Sequence, residues 1–162
     1  MIDHIVPELR RFEPDNLEAA AALEKQLFSD PWSLESLKSA LSRMDSVYVE
    51  CMADGVLAGY CGLYLAGDEG YINQVAVAPA FQGRGYGKRM LAFLLGKAEE
   101  MGMKACTLEV RVSNERAKRL YRSLDFKDSG IRPGFYDDPK EDALIMWRYE
   151  TDAESRIKRK SD

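Results

Sequence analysis

Apolar positions along the chain recur first at helical spacing, then alternate, then return to helical spacing. In PDNLEAAAALEKQLF, Leu17, Ala20, Ala21, Leu27 and Phe28 fall along one helical face, and Asp15 and Glu18 stand at capping-box spacing. A second helix is expected in DPWSLESLKSAL, with Ser33 as its N-cap and Trp32 packed on Leu37 as a hydrophobic staple. SVYVECMADGVLAGYCGLYLAGDEGYINQVAVAP then gives three β-rich runs punctuated by Asp54-Gly55 and Gly67-Asp68. Strand following strand through short turns predicts an antiparallel meander.

Past residue 80 the periods alternate again. Met90, Leu91, Leu94, Leu95, Ala98 and Met101 recur at helical spacing, and Gly102 supplies a stop. KACTLEVRV places Cys106, Leu108, Val110 and Val112 on one strand face and Thr107, Glu109 and Arg111 on the other. Asn114 can cap a further helix, whose Ala117, Leu120, Tyr121 and Leu124 form an i, i+3, i+4, i+7 stripe. The remainder reads as a closing hairpin across Pro133 to Lys140, followed by a charged tail, residues 151–162, that need not fold. No internal repeat or linker interrupts residues 1–150, so one α/β domain with a mixed sheet is the economical expectation.

Composition narrows the function classes. With 46% hydrophobic and 31% charged residues, the 162-residue chain is that of a globular protein able to bury a core without disulfide staples. No run approaches the roughly 18 apolar residues of a membrane span, and the N-terminus lacks a secretory signal pattern, so a cytoplasmic protein with no membrane role is expected. A net charge of −4 offers no global attraction to nucleic acid, and no direct nucleic-acid partner is expected. Cys51, Cys61 and Cys106 form no Cys-x-x-Cys pair and read as small buried apolar residues. A single histidine, His4, leaves little from which to build a catalytic triad or a metal centre, and no metal is expected.

The chemistry concentrates in VAVAPAFQGRGYGKRML, where Gly83, Gly85 and Gly87 lie between a strand and a helix expected to begin near Arg84. Successive backbone N–H groups and the positive end of a helix dipole make such a loop an anion site, and glycine lets the backbone approach a phosphate closely. A dinucleotide fingerprint fails because Lys88 stands where glycine is required. A Walker A loop fails at Gln82 and Arg89.

The spacing that fits is Gln-x-x-Gly-x-Gly, met by Gln82, Gly85 and Gly87. Here the chain resembles the GNAT superfamily of acyltransferases. LEVRVSNERAKRLYRSLDF, together with DPWS near residue 31 and EDALIMW near residue 145, is similar to the signature of its RimI-type protein N-terminal alanine acetyltransferases. The resemblance implies a GNAT fold with a mostly antiparallel sheet and helices on both faces. It implies acetyl-CoA as the donor cosubstrate, held by Gln82, Gly83, Arg84, Gly85, Gly87 and Lys88, with Asn114 as a further contact and backbone groups of Val75 and Val77 along the pantetheine arm. Arg89 is a weaker electrostatic candidate for the phosphates. Glu109 is implied as the general base and Tyr121 as the general acid. Trp32, Phe135 and Tyr136 are implied to wall the acceptor groove.

From the residues alone, Glu109 also suits the polar side of a strand, Tyr121 a core position, Asn114 a helix cap and Trp32 a staple. Two positions depart from the family signature: Asp125 replaces a glycine before Phe126, and Phe135 stands where tyrosine is common. Aspartate tolerates the left-handed backbone, so the helix stop survives on this reading.

The acceptor is constrained by acidity. An α-amine near pKa 7.7 to 8.0 is roughly a tenth neutral at pH 7, whereas a lysine near 10.4 is neutral about once in a few thousand molecules. A single glutamate base therefore suits an N-terminal amine, and the resemblance points to the alanine N-terminus of a small-subunit ribosomal protein. Asp137, Asp138, Glu141 and Asp142 form an acidic edge that could attract a basic acceptor. A polyamine or protein-lysine acceptor and a non-catalytic acyl-CoA-binding module remain alternatives. A monomer or weak dimer is expected.

Overall fold

The computed structural model describes residues 6–150, so His4 and the expected tail from Thr151 lie outside the described residues. Strand β1 (Glu8–Arg11) precedes helices α1 (Leu17–Leu27) and α2 (Leu34–Ser42). The meander β2 (Ser46–Ala53), β3 (Val56–Ala66) and β4 (Glu69–Val77) leads into α3 (Tyr86–Glu100). Strand β5 (Ala105–Arg111), α4 (Glu115–Ser123) and the hairpin β6 (Lys127–Asp137) and β7 (Lys140–Tyr149) complete the order. The strands hydrogen-bond in the sequence β1-β2-β3-β4-β5-β7-β6. Only β4 with β5 is parallel among the registered pairs, and the other four are antiparallel. The mixed α/β expectation holds, and no described helix is long and apolar enough to cross a membrane.

By contact density the chain divides into two compact units, one of residues up to Tyr64 with Ile72–Lys97, the other of Leu65–Tyr71 with residues from Ala98 onward. In the first unit, α1 and α2 bury Ala20, Leu23 and Leu37 against Tyr48, Tyr60 and Ala76 of the strands. Trp32 packs on this cluster, which contains Leu37. Gly62 leaves room for the Tyr48 ring, into which any Cβ at that position would project. The opposite strand face meets α3, where the Cys61 thiol lies 3.8 Å from the Met90 carbonyl oxygen. The turn between β2 and β3 has positive φ at Asp54 and Gly55, as a tight hairpin turn requires.

Four local expectations need correction. Asp15 does not cap α1: Pro14–Asn16 form a 3₁₀ turn, and Asn16 at the N-cap spends its amide on the buried Glu50 carboxylate at 3.0 and 3.1 Å. Glu50 also accepts from Arg10 Nε at 2.6 Å, so the carboxylate recruits the polar groups around it. Helix α3 begins at Tyr86 rather than near Arg84, because Gly83 and Gly85 both hold φ of 81° and break the helical turn. Met101 is 46% exposed, beyond the buried stripe formed by Met90, Leu91, Leu94, Leu95 and Ala98. The hairpin turn is confined to Asp138 and Pro139. β6 runs on past Pro133, with register irregularities between Asp128 and Gly130 and between Arg132 and Tyr136.

In the second unit, β5 pairs with β4 over Glu69–Tyr71 and with β7 over its whole length. Cys106, Leu108 and Val110 are buried on one face, and Glu109 and Arg111 emerge on the other, as the alternation predicts. Ser33 caps α2 through Ser36 N at 3.1 Å, and Asn114 caps α4 through Ala117 N at 3.1 Å. Asp125 takes the left-handed backbone at φ of 70° after α4. All three cysteines are buried, and burial pushes the Cys51 thiol up to about 11 and the Cys106 thiol to about 12. They are packing residues, as the sequence suggests.

Candidate active site

The first unit carries the glycine loop. β4 ends at Val77, the chain turns through Pro79–Phe81, and Gln82 Nε2 reaches back to donate to the Val77 carbonyl at 3.0 Å. Gly83, Arg84 and Gly85 follow, all exposed. A Cβ at Gly85 would enter open space, so the loop is held by its positive φ and leaves clear room over the backbone. It feeds directly into the 15-residue α3, and the Arg89 N–H closes the first turn on the Gly85 carbonyl at 3.1 Å. An open, glycine-lined strand-to-helix turn of this kind fits a pyrophosphate. Gly87 lies in the first turn of α3, and Lys88 and Arg89 are exposed beside it. The Arg84 guanidinium lies over the Phe81 ring at 5.5 Å, and Phe81 stacks on Tyr86. Val75 and Val77 are half-buried in β4.

Trp32, also in the first unit, is half-buried and holds its place through its main chain. Its N–H donates to the Glu24 carboxylate at 2.9 Å.

The second unit carries Glu109. Its side chain is 6% exposed, and its two oxygens divide between partners: Tyr71 donates its phenol to Oε1, and Arg132 lies 3.3 Å from Oε2. The Arg132 guanidinium also lies over the Phe135 ring at 5.6 Å, and Phe135 meets Tyr136 edge-on at 5.0 Å. Burial pushes the Tyr136 phenol up to about 12, and the charge of Glu109 acts in the same direction. The structure thus gathers Glu109, Phe135 and Tyr136 into one cluster, to which it adds Tyr71 and Arg132.

Arg111 organises the adjoining hairpin. Its guanidinium donates to the carbonyls of Pro139 at 2.8 Å and Asp138 at 3.3 Å, pairs with Glu141 at 3.3 Å, and stacks on Tyr136 at 4.3 Å. Glu141 in turn accepts from Ser113 N at 2.7 Å, and Asp142 accepts from Gly134 N at 2.8 Å. Two of the four acidic residues expected to attract a basic acceptor are therefore engaged in holding the hairpin.

Tyr121 is buried on α4 with its ring edge-on to Phe126 at 5.9 Å, in keeping with the core position that its stripe predicts. Asn114 is a helix cap. Tyr71 and Arg132 went unmarked in the sequence, and Arg111 was marked only for its strand face. Arg111 had a signal, because it shares a strand face with Glu109 two residues away. Tyr71 and Arg132 reach Glu109 through strand pairing and an irregular register, which spacing alone does not reveal.

These features define an acyltransferase class, and the chain belongs to the acetyltransferase (GNAT) family, whose pattern matches residues 10–126. Among individual relatives, the ribosomal protein bS18-alanine N-acetyltransferase of Escherichia coli K12 is 33% identical over 138 residues, covering 83% of this chain and 91% of its own. N-alpha-acetyltransferase RimI of Mycobacterium tuberculosis is 36% identical over 137 residues, covering 81% of this chain and 85% of its own. The crystal structure of the ribosomal-protein-S18-alanine N-acetyltransferase from Escherichia coli matches with a TM-score of 0.83 at 30% identity, over 91% of this chain and 96% of that one.

Proposed function

We propose that this protein transfers acetyl from acetyl-CoA to the N-terminal α-amine of a protein, and that the acceptor is the N-terminal alanine of a small-subunit ribosomal protein. The observation that carries the reading is the Glu109 carboxylate, nearly sealed from solvent yet grouped with Arg132, Phe135 and Tyr136. Identity of 33% to an enzyme named for alanine acetylation of bS18 supports the choice of acceptor.

Acetyl-CoA, when bound, supplies an acyl carbon activated by a thiolate leaving group. Gln82, Gly83, Arg84, Gly85, Gly87 and Lys88 bind its phosphates, Asn114 adds a contact from the start of α4, and the backbone of Val75 and Val77 orients the pantetheine arm. Glu109 takes one proton from the acceptor ammonium and frees the nitrogen lone pair. The nitrogen forms the new bond to the acyl carbon, the carbon–sulfur bond breaks, and the Tyr121 phenol gives its proton to the sulfur. The second proton leaves the nitrogen as the amide forms and replaces the one Tyr121 gave, and Glu109 releases its own to solvent. A phenol hydroxyl within reach of the sulfur can serve as the general acid. Trp32, Phe135 and Tyr136 wall the acceptor.

The test is CoA release with short peptides beginning Ala, Ser or Met, an acetyl-Ala peptide with an internal lysine, and spermidine. Release on the free Ala peptide, abolished by blocking its N-terminus, is the expected result. Turnover on the blocked lysine peptide or on spermidine would move the activity to a side-chain or small-amine acceptor. Acetyl-CoA binding with no turnover on any of them would overturn the enzymatic reading for these acceptors.

A further inference from the structure

Glu24 is a wholly buried acid that the reaction assigned to Glu109 and Tyr121 does not use. It projects from α1, and both oxygens are engaged. Oε1 accepts from the Trp32 backbone N–H at 2.9 Å, while Oε2 accepts from the Tyr60 hydroxyl and from Gln74 Nε2 at 2.6 Å. Two of these donors come from β3 and β4, and the third comes from the connection between α1 and α2. None of the three carries a charge. Burying a carboxylate with no cation beside it costs several kcal/mol, and an apolar residue would fill this face of α1 more cheaply. What glutamate supplies and leucine does not is an acceptor that ties the main chain at Trp32 to the strands.

That tie has a visible beneficiary. Trp32 lines a cavity of about 480 Å³ together with Tyr48, Tyr64, Asn73 and Arg43. The cavity falls within the range of about 300–1,000 Å³ typical of ligand sites. Two of its lining residues are tied together, because the Tyr48 hydroxyl donates to Asn73 Oδ1 at 2.9 Å, and Asn73 adjoins the Gln74 that holds Glu24. The Arg43 charge is met by Asp45 at 2.9 and 2.7 Å. Glu35, Ser36, Ser39 and Ser46 join the lining, so phenols, hydroxyls, an amide, an indole, a carboxylate and a cation already paired with Asp45 suit a polypeptide with a positive end better than a phosphate.

We propose that Glu24 is a positioning residue for the acceptor: by holding the Trp32 main chain to β3 and β4, it keeps this wall of the cavity in the shape that admits a peptide. The inference rests on the reading of Trp32 as part of the acceptor groove. E24Q retains a carbonyl oxygen for the Trp32 amide, whereas E24D keeps the charge but withdraws it by one methylene.

The experiment measures acceptor KM, acetyl-CoA KM and kcat for W32A, E24A, E24D and E24Q, with hydrogen exchange at the Trp32 amide and a thermal melt for each. E24D and E24A are expected to raise acceptor KM about fivefold to tenfold, the scale of one lost hydrogen bond, with acetyl-CoA KM unchanged. Both are expected to lose protection at the Trp32 amide, and E24Q is expected to restore most of both readouts. Should E24A fail to fold, E24D carries the test. A raised acceptor KM in W32A beside an unchanged one in E24D overturns the proposal alone. An unchanged acceptor KM in W32A overturns the acceptor role of Trp32 and the proposal with it. A parallel loss in both KM values and kcat would show a general structural role and also overturn it.

Discussion

Glu24 and Glu109 are matched in chemistry and opposed in setting. Each accepts a hydrogen bond from a tyrosine phenol, Tyr60 in one case and Tyr71 in the other. Glu24 then closes on itself, with an amide side chain and a backbone N–H as its remaining partners and no exposure to solvent. Glu109 is instead met by Arg132, which is 53% exposed and can swing away. A proton can reach or leave Glu109 through that side, while at Glu24 any proton must pass through packed protein. On the proposed reading of Glu109 as the base, the difference locates its availability in the exposure of its last partner, beyond the identity of its first.

The sharpest way to break the comparison is E109Q. It is expected to lower kcat by about 10²–10⁴, the range for removing a general base, while moving Tm by less than about 3 °C. An E109Q enzyme with near-normal kcat would remove Glu109 from the reaction.

A matched pair of substitutions follows. Y60F strips a donor from a sealed carboxylate and is expected to cost about 1–3 kcal/mol of stability in denaturant unfolding. Y71F is expected to cost less than about 1 kcal/mol, because Glu109 keeps Arg132, and to change kcat/KM instead. Equal stability losses at the two sites would erase the distinction drawn here.

The third test uses pH. Burial raises the pKa of Glu24 above the ordinary carboxyl value of 4.5, with its three hydrogen bonds pulling the other way. The folded state therefore keeps that proton to higher pH than the unfolded state, and stability falls as pH rises between the two pKa values. E24Q carries no such proton. Wild type should lose stability relative to E24Q as pH climbs from about 4.5, levelling once Glu24 is ionised in both states. Melts of both proteins between about pH 4 and pH 8 check this, and a difference that stays flat or grows in favour of wild type contradicts it.

The smallest effect is expected at Arg132. Its pair with Glu109 is half in solvent, so R132Q should change kcat/KM by less than about fivefold, and the change should shrink with added salt.

Much of this architecture was legible in the sequence because it rests on local rules. Alternation in ACTLEVR put Glu109 opposite the buried Cys106, Leu108 and Val110, and Ser33 and Asn114 announced two helix starts. The glycine loop was readable from spacing, whereas the positive φ of Gly83 and Gly85, a separate reason for glycine there, shows only in the fold. What was not legible depends on distant pairing. Asn16 abandons its helix because Glu50, remote in sequence, competes for its amide. Glu24 looked like one more polar residue on α1, since nothing local reveals that Tyr60 and Gln74 come to meet it. The irregular register of β6 likewise hid the approach of Arg132 to Glu109.

Arg111 holds the turn between β6 and β7 through the carbonyl oxygens of Asp138 and Pro139, atoms that every residue possesses. The grip itself uses no side-chain atom of either residue. Arg111, on the strand that bears Glu109, is therefore tied to the main chain of the tip and not to the chemistry of its side chains. If the hairpin walls the acceptor as proposed, strand and tip move as one body, and a change of acceptor preference is sought in the side chains that the hairpin displays, not in its path.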